Sequence, residues 1–179
     1  MSGCTKRVLF LLVSGLALLL MAAWRPVIYG NSEGEIRRYL RQEVGLRLED
    51  RIQLLEIQDE GEGRFVVFCG ERKRPDDRWI IRFRKNETGD YEACDGAFFQ
   101  LTELEIGIYR GPLGNYGRDQ GNYFVGWIEN PKATEVYVRF GATKEHLIRL
   151  TKVPQCVVLY DPYSHVTEYR FHGADGSEL

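Results

Sequence analysis

Hydrophobic and polar positions follow three different rhythms along this chain, and each predicts a different element. Val8 to Trp24 is an apolar run without a charged residue, interrupted only by Ser14 and Gly15. As a helix it spans about 26 Å, just under a hydrocarbon core of about 30 Å, so residues 8–24 read as a transmembrane anchor and 1–7 as a cytoplasmic tail. Further on, Ile36, Tyr39, Leu40 and Val44 recur at spacings of three and four. They predict one apolar face of a short amphipathic helix, with Arg37, Arg38, Arg41, Glu35 and Glu43 on its wet side. Asn31 and Ser32 suit its start, Glu33 and Glu35 favour its first turn, and Gly45 suits its end.

From Arg51 the period falls to two. The segments RIQLLEIQD, RFVVFCGER, RWIIRFRK and YEACDG are separated by turn-forming stretches and predict a four-stranded antiparallel meander. In the third, Trp79, Ile81 and Phe83 share one face, and Arg82 and Arg84 take the other. A helix and meander over residues 31–100 are followed by a second β-rich unit over 101–179. Its strands are LEIGIYRG, YFVGWIE, TEVYVRFG, EHLIRL, QCVVLY and VTEYRF, close enough together for a small β-sandwich. The fold class expected is therefore α+β: a transmembrane helix, one helix on a meander, then a sandwich-like unit.

The flanks of the apolar run decide its fate. Lys6 and Arg7 precede it, and Arg25, with Trp24 and Tyr29, follows. Cleavage after Ala22 or Ala23 would place Leu20 or Met21 where a signal peptidase needs a small residue. The pattern favours an uncleaved anchor over a secreted, cleaved product. The positive-inside rule then puts the body outside the cytosol. Apart from these three basic residues, the chain carries 21 basic against 26 acidic side chains. That acidic balance argues against a nucleic-acid partner and against a polybasic membrane-binding surface.

Candidate chemistry is sparse. Cys4, Cys69, Cys94 and Cys156 contain no CxxC pair, so zinc spacing is missing. On an extended chain, Ser164 and its neighbour His165 point to opposite sides, which opposes a hydrolase pairing. Cys156 sits among apolar neighbours, where a thiol is ordinarily inert. His165, His172 and Asp175 read as a solvated hairpin and tail rather than a metal site. Glu56, Asp59, Glu60 and Glu62 lack the register of a calcium loop. Asn86-Glu87-Thr88 is a glycosylation sequon, relevant only in a glycosylating host. Neither a metal, a cofactor nor a catalytic residue is implied. The stretch GPLGNYGRDQGN has no periodicity and no phosphate-loop lysine, and it presents Tyr116 and Arg118 as candidate partner contacts.

A charged amino terminus, one apolar run and a β-rich body ending in TEYRFHGADGSEL resemble small membrane-anchored extracytoplasmic proteins of Gram-positive bacteria that have no assigned function. The resemblance lies in layout and implies an exported, membrane-held bacterial protein without a catalytic signature. The expectation is a membrane-anchored extracytoplasmic binding or interaction module whose ligand, a protein partner being one candidate, is unidentified. The rivals are an envelope enzyme whose site one sequence does not reveal, and a structural or regulatory subunit of a membrane complex.

Overall fold

The computed structural model describes residues 27–42, 51–70, 77–112 and 122–179, without the side chains of 95–97. The apolar run, Val44 and the stretch carrying Tyr116 and Arg118 lie outside the described residues. Within them the fold is mostly β. Eleven strands form three antiparallel sheets, and a single helix, α1 (Glu33–Gln42), accompanies them. No helix among the described residues is long and apolar enough to cross a membrane. The expected α+β class is corrected to a mostly β fold, while the transmembrane helix expected over 8–24 falls outside the described residues. The layers that make the core are sheets, and α1 spans only about 15 Å.

The first sheet is β1 (Ile52–Glu60), β2 (Gly63–Gly70), β3 (Trp79–Lys85) and β4 (Tyr91–Gln100), in chain order. The central sheet has the order β10-β7-β6-β5, with β5 (Thr102–Glu105), β6 (Ile108–Arg110), β7 (Asn122–Ile128) and β10 (Gln155–Asp161). The third sheet, β11-β8-β9, is built from β8 (Ala133–Phe140), β9 (Lys144–Arg149) and β11 (Val166–Gly173). The segment LEIGIYRG is two strands rather than one. Gly107, at φ +74°, turns β5 back into β6 in a conformation that side chains with a Cβ rarely adopt.

Strand alternation assigns each side chain to one of three apolar layers, and the stack runs helix, sheet, sheet, sheet. Ile36 and Leu40 of α1 pack on Val66, Phe68, Ile81 and Phe83 of the first sheet. The opposite faces of the same strands, through Phe65, Val67 and Ile80, meet Tyr123, Val125, Trp127, Cys156 and Val158 of the central sheet. The next residues along β7 and β10, Phe124, Ile128 and Val157, face away and pack on Val136, Val138, Phe140 and Phe171 of the third sheet. The central sheet is thus covered on both faces, and every residue of β7 is buried. The two halves expected from sequence share a core.

Local chemistry fixes the margins. Ser32 and Glu35 form a reciprocal capping box at the start of α1, the Ser32 N–H donating to Oε2 of Glu35 and the Glu35 N–H to Oγ of Ser32. Gly30 lies so close to Phe83 that a Cβ there would sit 2.6 Å from the ring. A bulge between Leu54 and Glu56 rotates Glu56 towards the central sheet. There its carboxylate accepts the Cys156 N–H at 2.7 Å and pairs with Lys152 at 3.0 Å, bridging edge strands β1 and β10.

Candidate functional site

The stack has two unlike poles. At one, β7 ends beside the β5–β6 turn. Arg78 grips Glu129 through two hydrogen bonds, at 2.6 and 3.0 Å, and Trp127 Nε1–H donates to the same carboxylate at 2.7 Å. Burial pushes the Glu129 carboxyl up, but the bonds from Arg78 and Trp127 outweigh it and hold it below its ordinary range. This clasp joins the first sheet to the central one.

The other pole gathers the connections. The chain leaves β6 at Arg110, opposite Gly126 midway along β7, and re-enters β7 at Asn122, so the stretch bearing Tyr116 and Arg118 ends at this pole. Asn122 pairs with Asp161 in the β7–β10 ladder, which brings the β10–β11 turn alongside. The β8–β9 turn joins them, since the Gly141 N–H donates to the His165 carbonyl at 2.8 Å. From the first sheet, Gly61 of the β1–β2 turn reaches the Tyr160 ring. This pole also holds all the buried polar or charged side chains among the described residues: Arg82, Asn122 and Asp161.

Each has a distinct environment. Arg82, 1% exposed, donates to the Tyr123 hydroxyl at 2.8 Å, with its guanidinium 4.6 Å from that ring's centre and 5.7 Å from that of Phe65. The sequence placed Arg82 on a polar face; the central sheet covers that face. Asn122 keeps its Oδ1 buried without a hydrogen-bond partner. Asp161 accepts the N–H groups of Tyr163 at 2.7 Å and Ser164 at 2.8 Å, and pairs with Lys144 at 2.6 Å. Burial raises its carboxyl, but Lys144 and the two N–H donors outweigh this and hold it low. A buried carboxylate therefore sets the geometry of the turn, and that turn holds the Tyr163 side chain 92% exposed.

The other candidate residues are dispersed. Ser164 and His165 lie at this pole, whereas Cys156 sits near the far end of β10, a strand length away. Burial, reinforced by the nearby Glu56 carboxylate, pushes the Cys156 thiol far up, so it stays protonated and a poor nucleophile. Cys69, Cys94 and Cys156 are all thiols. Glu56 serves β10, and Asp59 is held by Arg64 through bonds of 2.7 and 2.8 Å. Asn86 closes the β3–β4 turn, accepting the Thr88 and Asp90 N–H groups. His172 bridges to Glu178, and Asp175 accepts from Ser177. Among the described residues, no group of three or more His, Cys, Asp or Glu is placed to hold a metal ion.

Sequence reasoning missed Tyr163, Asp161 and Asn122. The signal available was the run Asp161-Pro162-Tyr163-Ser164, an aromatic inside a turn-forming motif. Comparison with known proteins finds no matching family model, no similar curated protein and no similar solved structure.

Proposed function

We propose that this chain is a non-catalytic binding module of the extracytoplasmic space, delivered there by its apolar amino-terminal segment, and that it meets a protein partner at the pole where Tyr163 is exposed. One observation carries this reading. The backbone of the Tyr163 turn is held by the buried Asp161 carboxylate, while the tyrosine ring is left almost fully open. An aromatic presented on a fixed turn is the kind of side chain that anchors an interface, and pre-ordering lowers the entropic cost of binding. Tyr116 and Arg118, in the connection that leads into Asn122, are side-chain types suited to recognition and are the further candidate contacts. The acidic balance of the body favours a protein partner over nucleic acid.

The test is a cross-linked pulldown from envelope membranes, comparing the parent chain with Tyr163→Ala and with a Tyr116→Ala/Arg118→Ala double variant. Tyr163→Ala is expected to keep the melting temperature within a few degrees, because exposed substitutions usually change stability by less than about 0.5 kcal/mol. Both variants are expected to lose the partner that the parent captures. Undiminished capture by both would remove this pole as the contact.

A further inference from the structure

Strand β9 stands at the edge of the third sheet, and its hydrogen-bonding pattern can be read from its neighbour. The ladder pairs Val136 with Ile148, Tyr137 with Leu147, Val138 with His146 and Arg139 with Glu145. The Leu150 N–H donates to the Thr134 carbonyl at 2.8 Å. In an antiparallel ladder, hydrogen-bonded and non-hydrogen-bonded pairs alternate. Ile148, His146 and Lys144 therefore turn their main-chain groups towards β8. Glu145, Leu147 and Arg149 turn theirs outward, where among the described residues no strand takes them. The side chains of these three residues share the outer face of the sheet. Leu147 is 58% exposed there, between an acidic and a basic residue.

That triplet is its own complement. We propose that two copies of this chain pair edge to edge through antiparallel β9 strands, with Leu147 on the two-fold axis. In this register Leu147 faces the second copy's Leu147, and Glu145 faces the second copy's Arg149. All three outward residues then fall on hydrogen-bonded pairs, and of the registers that keep this main-chain pattern only this one sets Glu145 against Arg149. Moving the axis to the midpoint between His146 and Leu147 sets Lys144 against Arg149, opposes like charges and misaligns the donors. Within one copy Arg139 already pairs with Glu145 at 2.9 Å and Glu135 with Arg149 at 3.2 Å. Pairing the edges extends these contacts into a continuous row of alternating charge, Arg139, Glu145, then the second copy's Arg149 and Glu135. The central row runs Tyr137, Leu147, then the second copy's Leu147 and Tyr137. Charged edge strands usually repel other strands; here the order of charges favours one partner, a second copy. The contact is a short strand pair, smaller than a standard interface of roughly 800 Å² per partner, so the association is weak and concentration-dependent.

The test uses the full chain and mild oxidation, read on a non-reducing gel. A hydrogen-bonded antiparallel pair holds its α-carbons about 5.5 Å apart, within disulfide range. Leu147→Cys is expected to form a covalent dimer, while Glu145→Cys, four residues out of register with its own image, stays at the background of the unsubstituted chain. Adding Glu145→Lys to Leu147→Cys should abolish the dimer, and adding Arg149→Glu to both should restore it, which a merely misfolded variant would not do. No dimer from Leu147→Cys, equal dimer from Glu145→Cys, or a yield indifferent to the charge swaps would overturn the proposal.

Discussion

Arg78 and Glu129 join the first sheet to the central one through a two-point ion pair, and Trp127 completes it by donating to the same carboxylate oxygen as Arg78 Nε. Arg78 precedes β3 and Glu129 follows β7, so residues about fifty positions apart close the gap between layers at the pole opposite the loops. Glu129→Gln removes the negative charge that Arg78 and Trp127 both address and leaves one neutral acceptor oxygen in its place. Glu129→Gln should destabilise the fold by about 1.5–3 kcal/mol, measured by denaturant unfolding at neutral pH. An effect below about 0.5 kcal/mol would show that the clasp adds nothing to the packing.

The same pair sets a pH dependence. The folded Glu129 carboxyl lies below its ordinary value of 4.5, and those of Asp59, held chiefly by its hydrogen bonds from Arg64, and Asp161 lie below 3.8. A depressed carboxyl stabilises the fold above its unfolded value, and that stability is lost as pH falls through the folded one. Stability should therefore be steady near neutrality and decline below about pH 4.5. The gap between the parent and Glu129→Gln should narrow over the same interval. A gap that persisted unchanged to pH 3 would contradict the assignment.

The central sheet is packed on both faces, which makes a second prediction. Trp127 faces the first sheet and Phe124 faces the third, on the same strand. Trp127→Ala and Phe124→Ala should each cost about 3–5 kcal/mol, and each should shift the unfolding of the whole described stack as one transition. Two separated transitions, each sensitive to one variant only, would mean that the halves fold independently.

Much of this architecture is readable from period-two alternation, and its limits are physical. In β3 the pattern correctly separates Trp79, Ile81 and Phe83 from Arg82. It does not show that a second sheet covers the face carrying Arg82, because a buried arginine between aromatic rings looks like a solvated one in a string of letters. In β7 the run Tyr123-Phe124-Val125 is apolar at successive positions, the signature of a strand covered on both sides, as every residue of β7 is. The α+β expectation gave weight to helical segments at the amino terminus, whereas the described fold carries one short helix on the outside of three sheets. The fixed turn beneath Tyr163 depends on Asp161 and Lys144, which tertiary structure brings together.

Cysteine chemistry offers a third check. Cys156 is buried, its thiol is held protonated, and its backbone N–H is engaged by Glu56. It should resist thiol reagents in the native protein and label only on unfolding, read by mass spectrometry of peptides after timed exposure. Labelling as fast as an exposed thiol would show that β1 and β10 open readily and that the Glu56 bridge does not seal them.

The contact pole itself is best tested by two equally open side chains at opposite ends of β7. Tyr163 lies beyond the Asn122 end, 92% exposed, and Ile106 lies beyond the Ile128 end, 87% exposed. A photo-crosslinking amino acid at position 163 in one full-length protein and at position 106 in another, irradiated in intact envelopes, compares the two poles at similar exposure. A discrete adduct with another protein is expected from position 163 and none from position 106. An adduct from position 106 with position 163 silent would contradict it.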